Sequence, residues 1–420
     1  MTDRPLRFCM ITTFYPPYHF GGDGIFVQQL SNELAQRGHH VEVIHCLDAY
    51  HLFSSREPIG PYQDHPDVMV HGLKSRFGFL SPLATQQTGI PFLKSSRIRE
   101  ILKKGFDVIH YHNISLVGGP KILEYGEAVK LYTMHEYWLV CPTHTLFRFN
   151  RAVCTRPHCL LCGLIYKRPP QWWRYFNLLK EAVKHVDVFI ALSHFSIDIH
   201  HQMGLHAPMA YLPGFIPSAE AAAPLTSGLP VGRAWKEPYF LFVGRLEKIK
   251  GLHQLISVFN QYRKAHLLIA GEGNYGRRLR QLAEGNANIR FLGYLPEGQL
   301  QVLYRQAVAV IVPSICFEMF PLVILEAFRQ QTPVLVNNIG GLPEIVRESG
   351  GGFVYQTEED LIEKMDQLLS NSSHRDELGQ CGYRSWQQKW TTDPFLKRYI
   401  ALIQNIQAIR SQPRDRDFLQ

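Results

Sequence analysis

The chain has 420 residues, enough for two or three domains with a substantial core. Its 45% hydrophobic and 19% charged content are those of a globular protein, and no apolar run is long enough for a membrane-spanning helix, which excludes disordered and helical integral-membrane classes. The formal net charge of +8 suits phosphorylated or anionic partners, but no helix-turn-helix, finger or RNA-binding signature accompanies it, so nucleic acid is not expected.

Leu6 to Phe14 reads as a first strand. Its apolar run ends at Pro16-Pro17 without a small-residue cleavage site, so a strand is expected rather than a signal peptide. A cytoplasmic protein follows, with its eight cysteines reduced or metal-bound. The loop PPYHFGGDG comes next, and Gly21 and Gly22 allow backbone to approach a ligand closely. Ile25 to Arg37 is expected as a helix with Gly38 at its C-cap, and His40 to Cys46 as the next strand. Ser96 is expected to cap a helix carrying Ile98, Ile101 and Leu102. Asp107 to His112 and Val129 to His135 read as strands with a helix between, and Val186 to Ser193 as a further strand. His110, His112 and His135 all lie near strand ends. This alternation implies a parallel, doubly wound sheet.

An insertion at about residues 137–170 holds Cys141, Cys154, Cys159 and Cys162 in CPTHTLFRFNRAVCTRPHCLLC, spaced C-x12-C-x4-C-x2-C. The final C-x2-C has knuckle spacing, and four thiolates complete a closed tetrahedral site, so a structural zinc is one reading. His144 and His158 can replace one cysteine. The other reading is a set of reduced thiols in a loop ordered by packing. The following segment, YKRPPQWWRYFNLLK, has four bases, five aromatics and no acid. Two readings stand there also: a peripheral contact with the inner face of a membrane, or a helix that packs Trp172, Trp173 and Phe176 inward.

Residues 216–238 are rich in Ala, Pro, Gly and Ser and read as a connection between domains. A second strand–helix series runs from Tyr239 to Tyr355. Its first strand ends in Gly244 and Arg245, then Lys250-Gly251 precedes an amphipathic helix. Ala307 to Pro313 is a short apolar, β-branched run and reads as a buried strand. Pro321 to Gln330 is expected as a helix with Pro321 at its first position. Glu318 therefore falls in the loop at a strand's carboxyl end, and Glu326 on the helix that follows. Ligands of open α/β sheets bind at such places, with phosphate at the helix N-terminus. Helices are expected at Glu358 to Ser370, Asp376 to Gln388 and about Pro394 to Arg410, before a frayed polar tail.

The ordered motifs YFLFVGRLEKIKG, HLLIAGEGNYGRRL, the paired acids Glu318 and Glu326, and TPVLVNNIGGLPEIV resemble the family 4 retaining glycosyltransferases, which have the GT-B fold. The likeness is close from Tyr239 to Val346 and looser in the N-terminal half. It implies two Rossmann-like doubly wound domains facing across a cleft: an acceptor-side domain over 1–215 and a nucleotide-sugar domain over 239–392. A final helix over 393–420 would cross back to the first domain. It further implies that Arg245 and Lys250 bind a donor pyrophosphate, with Gly244 beside them. Leu322 and Val323 offer backbone N–H groups, Glu326 holds ribose hydroxyls, and Glu318 lies against the transferred sugar. His135 lies near that sugar, and Gly21-Gly22 meet the donor or acceptor across the cleft. The donor implied is a UDP-sugar or GDP-mannose, the acceptor a glycan or lipid-linked molecule, and no cofactor is required. Many members have glycine where Met319 and Pro321 stand here. The alternatives are another sugar-nucleotide enzyme of this fold, epimerase or phosphorylase-like, an inactive nucleotide-binding scaffold, and a zinc-dependent nucleic-acid module.

Overall fold

The computed structural model describes residues 4–55, 57–58, 62–218, 235 and 237–411. Most of the connecting segment and the polar tail lie outside the described residues.

The first sheet has seven parallel strands: β1 (Arg7–Ile11), β2 (His40–Cys46), β3 (Val68–Leu73), β4 (Val108–Tyr111), β5 (Val129–Met134), β8 (Val188–Ala191) and β9 (Met209–Tyr211). Their spatial order is β3-β2-β1-β4-β5-β8-β9, which puts the topological switch between β1 and β4. Between β5 and β8 lies the insertion, with a small antiparallel hairpin, β6 (Phe147–Arg148) and β7 (Ala152–Val153). The second sheet has six parallel strands: β10 (Tyr239–Val243), β11 (His266–Ala270), β12 (Ile289–Gly293), β13 (Ala309–Val312), β14 (Val334–Asn337) and β15 (Gly352–Tyr355). Their order is β12-β11-β10-β13-β14-β15, with its switch between β10 and β13. The central strands are buried along their length, which is why they read as unbroken apolar runs rather than alternating ones.

The final helix, Thr392–Ser411, packs on the first sheet. Phe395, Leu396, Tyr399, Ile403 and Ile406 share one core cluster with Phe8, Met10 and Leu131. Arg410 donates to both Asp187 carboxylate oxygens, at 2.9 and 2.8 Å, and fixes the helix end there.

Four local expectations change. The helix expected at Ile25 begins at Gly22. A Cβ on Gly24 would lie 3.1 Å from the Phe14 carbonyl, so the glycine run forms the first helical turn against β1's exit. Pro321 is the N-cap, in extended backbone (φ −74°, ψ 121°), and the helix starts at Leu322. Ser96 lies inside the helix Ser95–Leu102 and caps nothing. Between β4 and β5 there is only a 3-10 turn, Pro120–Glu124. Gly119 there has φ +62°, and a Cβ would meet the Gly89 backbone at 2.7 Å, so the chain turns tightly instead of winding a helix.

Candidate active site

Both switch points open onto one interdomain cleft of about 380 Å³. From the second domain it receives Gly244, Arg245, Lys250, Glu318, Leu322, Val323 and Glu326; from the first, Gly22 and His135. The structure thus brings together all the candidate residues of the donor side except Gly21, which sits one residue behind the lining.

Glycines set this geometry. Gly251 has φ +72°, and a Cβ there would lie 1.7 Å from the Pro313 carbonyl oxygen, so only glycine lets the Lys250 turn rest on the end of β13. Across that loop, the Gly341 N–H donates to the Glu318 carbonyl at 2.7 Å. A Cβ on Gly341 would meet the Met319 carbonyl at 2.3 Å. The close approach in this chain is therefore made by IGGLPE rather than at Met319 or Pro321. Met319 and Phe320 are buried, and Phe320 lies edge-on to Trp390 with centroids 6.0 Å apart.

Lys250 Nζ donates to Glu318 Oε1 at 2.7 Å, and Ser314 Oγ donates to the same oxygen at 2.6 Å. Burial raises the Glu318 carboxyl, but the Lys250 charge and these two hydrogen bonds outweigh it and hold it below its ordinary value. Glu326 Oε2 accepts from the buried Tyr304 hydroxyl at 2.6 Å. Burial pushes the Glu326 carboxyl above its ordinary value, outweighing the Tyr304 hydrogen bond and the Arg329 charge that pull it down. Arg245 is more than half exposed and reaches Glu247 at 2.9 Å. The first-turn N–H groups of Leu322 and Val323 have no acceptor within their own helix. A cleft lined by Arg245, Lys250 and a helix N-terminus together with two carboxylates can receive a phosphate carrying hydroxylated groups.

On the facing wall, His135 Nε2 lies 3.0 Å from His112 Nδ1. The His112 ring lies 4.1 Å from that of His110, tilted by 39°, and His110 contacts Thr133 Oγ1 at 2.8 Å and the Tyr399 hydroxyl at 2.9 Å. Burial lowers all three histidines, His135 to about 4 and His110 to about 3, so the array is neutral at pH 7. Asp23, also in the lining, accepts a long hydrogen bond from Asn113 at 3.4 Å. Burial and the nearby Glu136 raise its carboxyl. Asp23, Ser314 and Tyr304 escaped the sequence reading as site groups, whereas His112 was already placed near a strand end beside His110. Asp23 follows Gly22 directly, which was a usable signal; Ser314 acts on Glu318 four residues on, and Tyr304 on Glu326, 22 residues away.

The four insertion cysteines are all free, with Cys141 and Cys162 buried. Burial and then the charges of Cys141, Cys159 and Cys162 raise the Cys154 thiol, so the four share one neighbourhood. Among the described residues, no three or more His, Cys, Asp or Glu side chains are arranged to hold a metal ion. His144 is engaged elsewhere, 2.8 Å from Glu136. The aromatic segment divides: Trp173 is buried, whereas Trp172 and Phe176 face solvent.

Residues 20–220 match the model of the family described as Glycosyltransferase Family 4, and residues 231–385 match that of Glycosyl transferases group 1. A glycogen synthase of Mycobacterium tuberculosis is 41% identical over 369 residues, covering 81% of this chain and 80% of its own. The chain belongs to the family 4 glycosyltransferases. An uncharacterised glycosyltransferase of Methanocaldococcus jannaschii is 24% identical to this family 4 member over 410 residues, covering 94% of this chain and 97% of its own. A sucrose-phosphate synthase structure from Thermosynechococcus elongatus superposes with a TM-score of 0.73 at 20% identity, covering 96% of this chain and all of the other. An Anabaena protein, HepE, solved with UDP and glucose, gives 0.65 at 16% identity, covering 95% of this chain and 100% of its own. The glycosyltransferase therefore has the GT-B fold.

Proposed function

We propose that this glycosyltransferase moves a hexose from a UDP-sugar or GDP-mannose to a glycan or lipid-linked acceptor, with retention of configuration, in cell-surface polysaccharide or glycolipid synthesis. The observation that carries this reading is the convergence of Arg245, Lys250, Glu318, Glu326 and His135 on one interdomain cleft. In this scheme Arg245 and Lys250 receive the diphosphate, joined by the Leu322 and Val323 N–H groups. Glu326 accepts from the ribose hydroxyls, and Glu318 and His135 flank the transferred sugar. The UDP and glucose of the HepE structure support that donor class. An O-antigen chain mannosyltransferase of Escherichia coli, 28% identical over 178 residues that cover 40% of this chain and 48% of its own, supports a polysaccharide acceptor.

As the bond from the sugar to the diphosphate breaks, negative charge develops on the leaving phosphate. Arg245, Lys250 and the helix N-terminus stabilise it. The leaving phosphate takes the acceptor's proton on the same face, so no carboxylate is assigned as general base. Catalysis then rests on positioning and charge stabilisation without a cofactor, and a zinc on the four cysteines would serve the insertion's fold alone. Among the described residues, no helix is long and apolar enough to cross a membrane. The reading places the enzyme in the cytoplasm, working at the inner membrane face.

NMR of the product tests the stereochemistry. An α-linked product from an α-linked donor is expected; a β-linked product overturns the retaining assignment.

A further inference from the structure

A second and larger cavity, about 870 Å³, lies in the first domain outside the donor cleft. The insertion helix Cys159–Ile165, the turn Trp172–Tyr175 and the helix Leu178–Ala182 contribute to its walls. Leu160, Leu164, Phe176 and Leu179 line it. So do Arg168, Lys180 and Lys184, and no acidic side chain does among the described residues. Lys184 is paired with Glu181 at 2.6 Å. Its lining also includes Leu139, Val140 and Pro142 of the insertion, and Met203 to Pro208, which lead into the edge strand β9.

The surface around it is apolar to an unusual extent. Leu160, Leu164 and Phe176 are 56%, 63% and 73% exposed. Of the eighteen exposed large hydrophobic side chains among the described residues, twelve lie in residues 77–93 and 160–176. These two segments pack together: the Trp173 indole donates to the Gln86 carbonyl at 2.9 Å. The exposed apolar side chains are thus concentrated on neighbouring elements. Such a concentration of exposed apolar side chains marks an interaction site. Bases interleaved with Trp, Tyr and Phe suit the boundary between water and lipid, where the rings sit at headgroup level and the bases meet anionic phosphate. The apolar lining favours a hydrocarbon chain over a protein partner, and Arg168 and Lys180 in that lining favour an anionic head.

We propose that this face docks on a bilayer and that the cavity takes the hydrocarbon chain of an anionic membrane lipid, with Arg168 and Lys180 receiving its phosphate. The inference stands on the first domain alone and does not depend on the donor assignment.

The test is co-sedimentation of the full chain with phosphatidylcholine vesicles, with and without phosphatidylglycerol. Binding is expected only to the anionic vesicles and is expected to weaken with salt. Leu164→Asp with Phe176→Asp should abolish it. Arg168→Glu with Lys180→Glu should reduce the partition coefficient at least about tenfold. Brominated-chain phosphatidylglycerol should quench part of the tryptophan emission, and Trp172→Phe should remove that part. Circular dichroism melts of each variant establish that it is folded, whether or not the protein binds UDP. Equal binding to both vesicle types, or folded variants that bind like wild type, overturns the proposal. So does a dimer in sedimentation equilibrium that Leu164→Asp with Phe176→Asp dissociates, since that assigns the face to a second copy.

Discussion

Lys250 Nζ and Glu318 Oε1 lie 2.7 Å apart, although 68 residues separate them in the chain. Lys250 comes from the turn after β10, Glu318 from the loop after β13, and the two strands are neighbours in the sheet. The pair joins the two motifs that flank the second domain's switch point. In the proposed scheme, a donor phosphate arriving at Lys250 would meet a lysine already held in place.

Lys250→Ala should remove UDP-induced thermal stabilisation. It also strands a largely buried carboxylate, so denaturant unfolding should show a loss of about 1–3 kcal/mol. Lys250→Met with Glu318→Gln should recover much of that stability without recovering UDP binding. Donor binding retained in both variants would count against the phosphate role of Lys250.

Glu326→Ala should weaken nucleoside diphosphate binding by about 1–3 kcal/mol in calorimetry, through lost ribose contacts. Tyr304→Phe removes the 2.6 Å hydrogen bond that aims Glu326 and should give a smaller loss. Unchanged affinity for both UDP and GDP in Glu326→Ala would contradict the ribose assignment.

The histidine array makes stability depend on pH. Folded pKa values of about 4 for His135 and about 3 for His110 lie below the unfolded value of 6.5, so the unfolded chain takes up protons first as pH falls. The stability is complete above pH 6.5 and is lost toward the folded values. His110 alone should remove about 2 kcal/mol between pH 6.5 and about pH 5. Tm should fall over that window, above the range where most carboxylates titrate. His110→Gln, which keeps hydrogen-bonding capacity, should flatten the slope.

Gly251→Ala should destabilise by more than about 3 kcal/mol, because the new Cβ collides with the Pro313 carbonyl and the backbone of the donor loop must move. Gly285→Ala is the control. It also sits at positive φ, +76°, but nothing lies within 4 Å of its Cβ, so the cost is the αL strain alone, about 1–2 kcal/mol. Equal losses at the two positions would refute the packing argument.

What the sequence made legible was local. His40–Cys46 and Glu358–Ser370 have the bounds read from their patterns, because continuous apolar runs and amphipathic spacing are properties of neighbouring residues. The alternation of strands and helices made a doubly wound parallel sheet legible, whereas the GT-B arrangement was legible only through the resemblance of the ordered motifs around Gly244, Glu318 and Glu326 to the family 4 glycosyltransferases. The partners of the site residues were not legible. Tyr304 reaches Glu326 from 22 residues away through the packing of two helices, and His112 reaches His135 from 23 through the pairing of β4 with β5, and no short pattern encodes either. The insertion was least readable of all. Among the described residues, it holds five of the six non-glycine positions with left-handed φ, His144, Leu146, Phe149, Asn150 and Lys167, where side-chain packing overrides local preference.

The central claim is that the interdomain cleft binds and cleaves a nucleotide sugar. Release of nucleoside diphosphate from a panel of UDP-sugars and GDP-mannose, compared between wild type and Arg245→Ala, tests it most directly. The account predicts turnover of at least one donor by wild type and a loss of about tenfold or more in the variant, as expected for removal of a charged phosphate contact. Release by Arg245→Ala at the wild-type rate, or no release from any donor by folded wild-type protein supplied with glycan and lipid-linked acceptors, would contradict it.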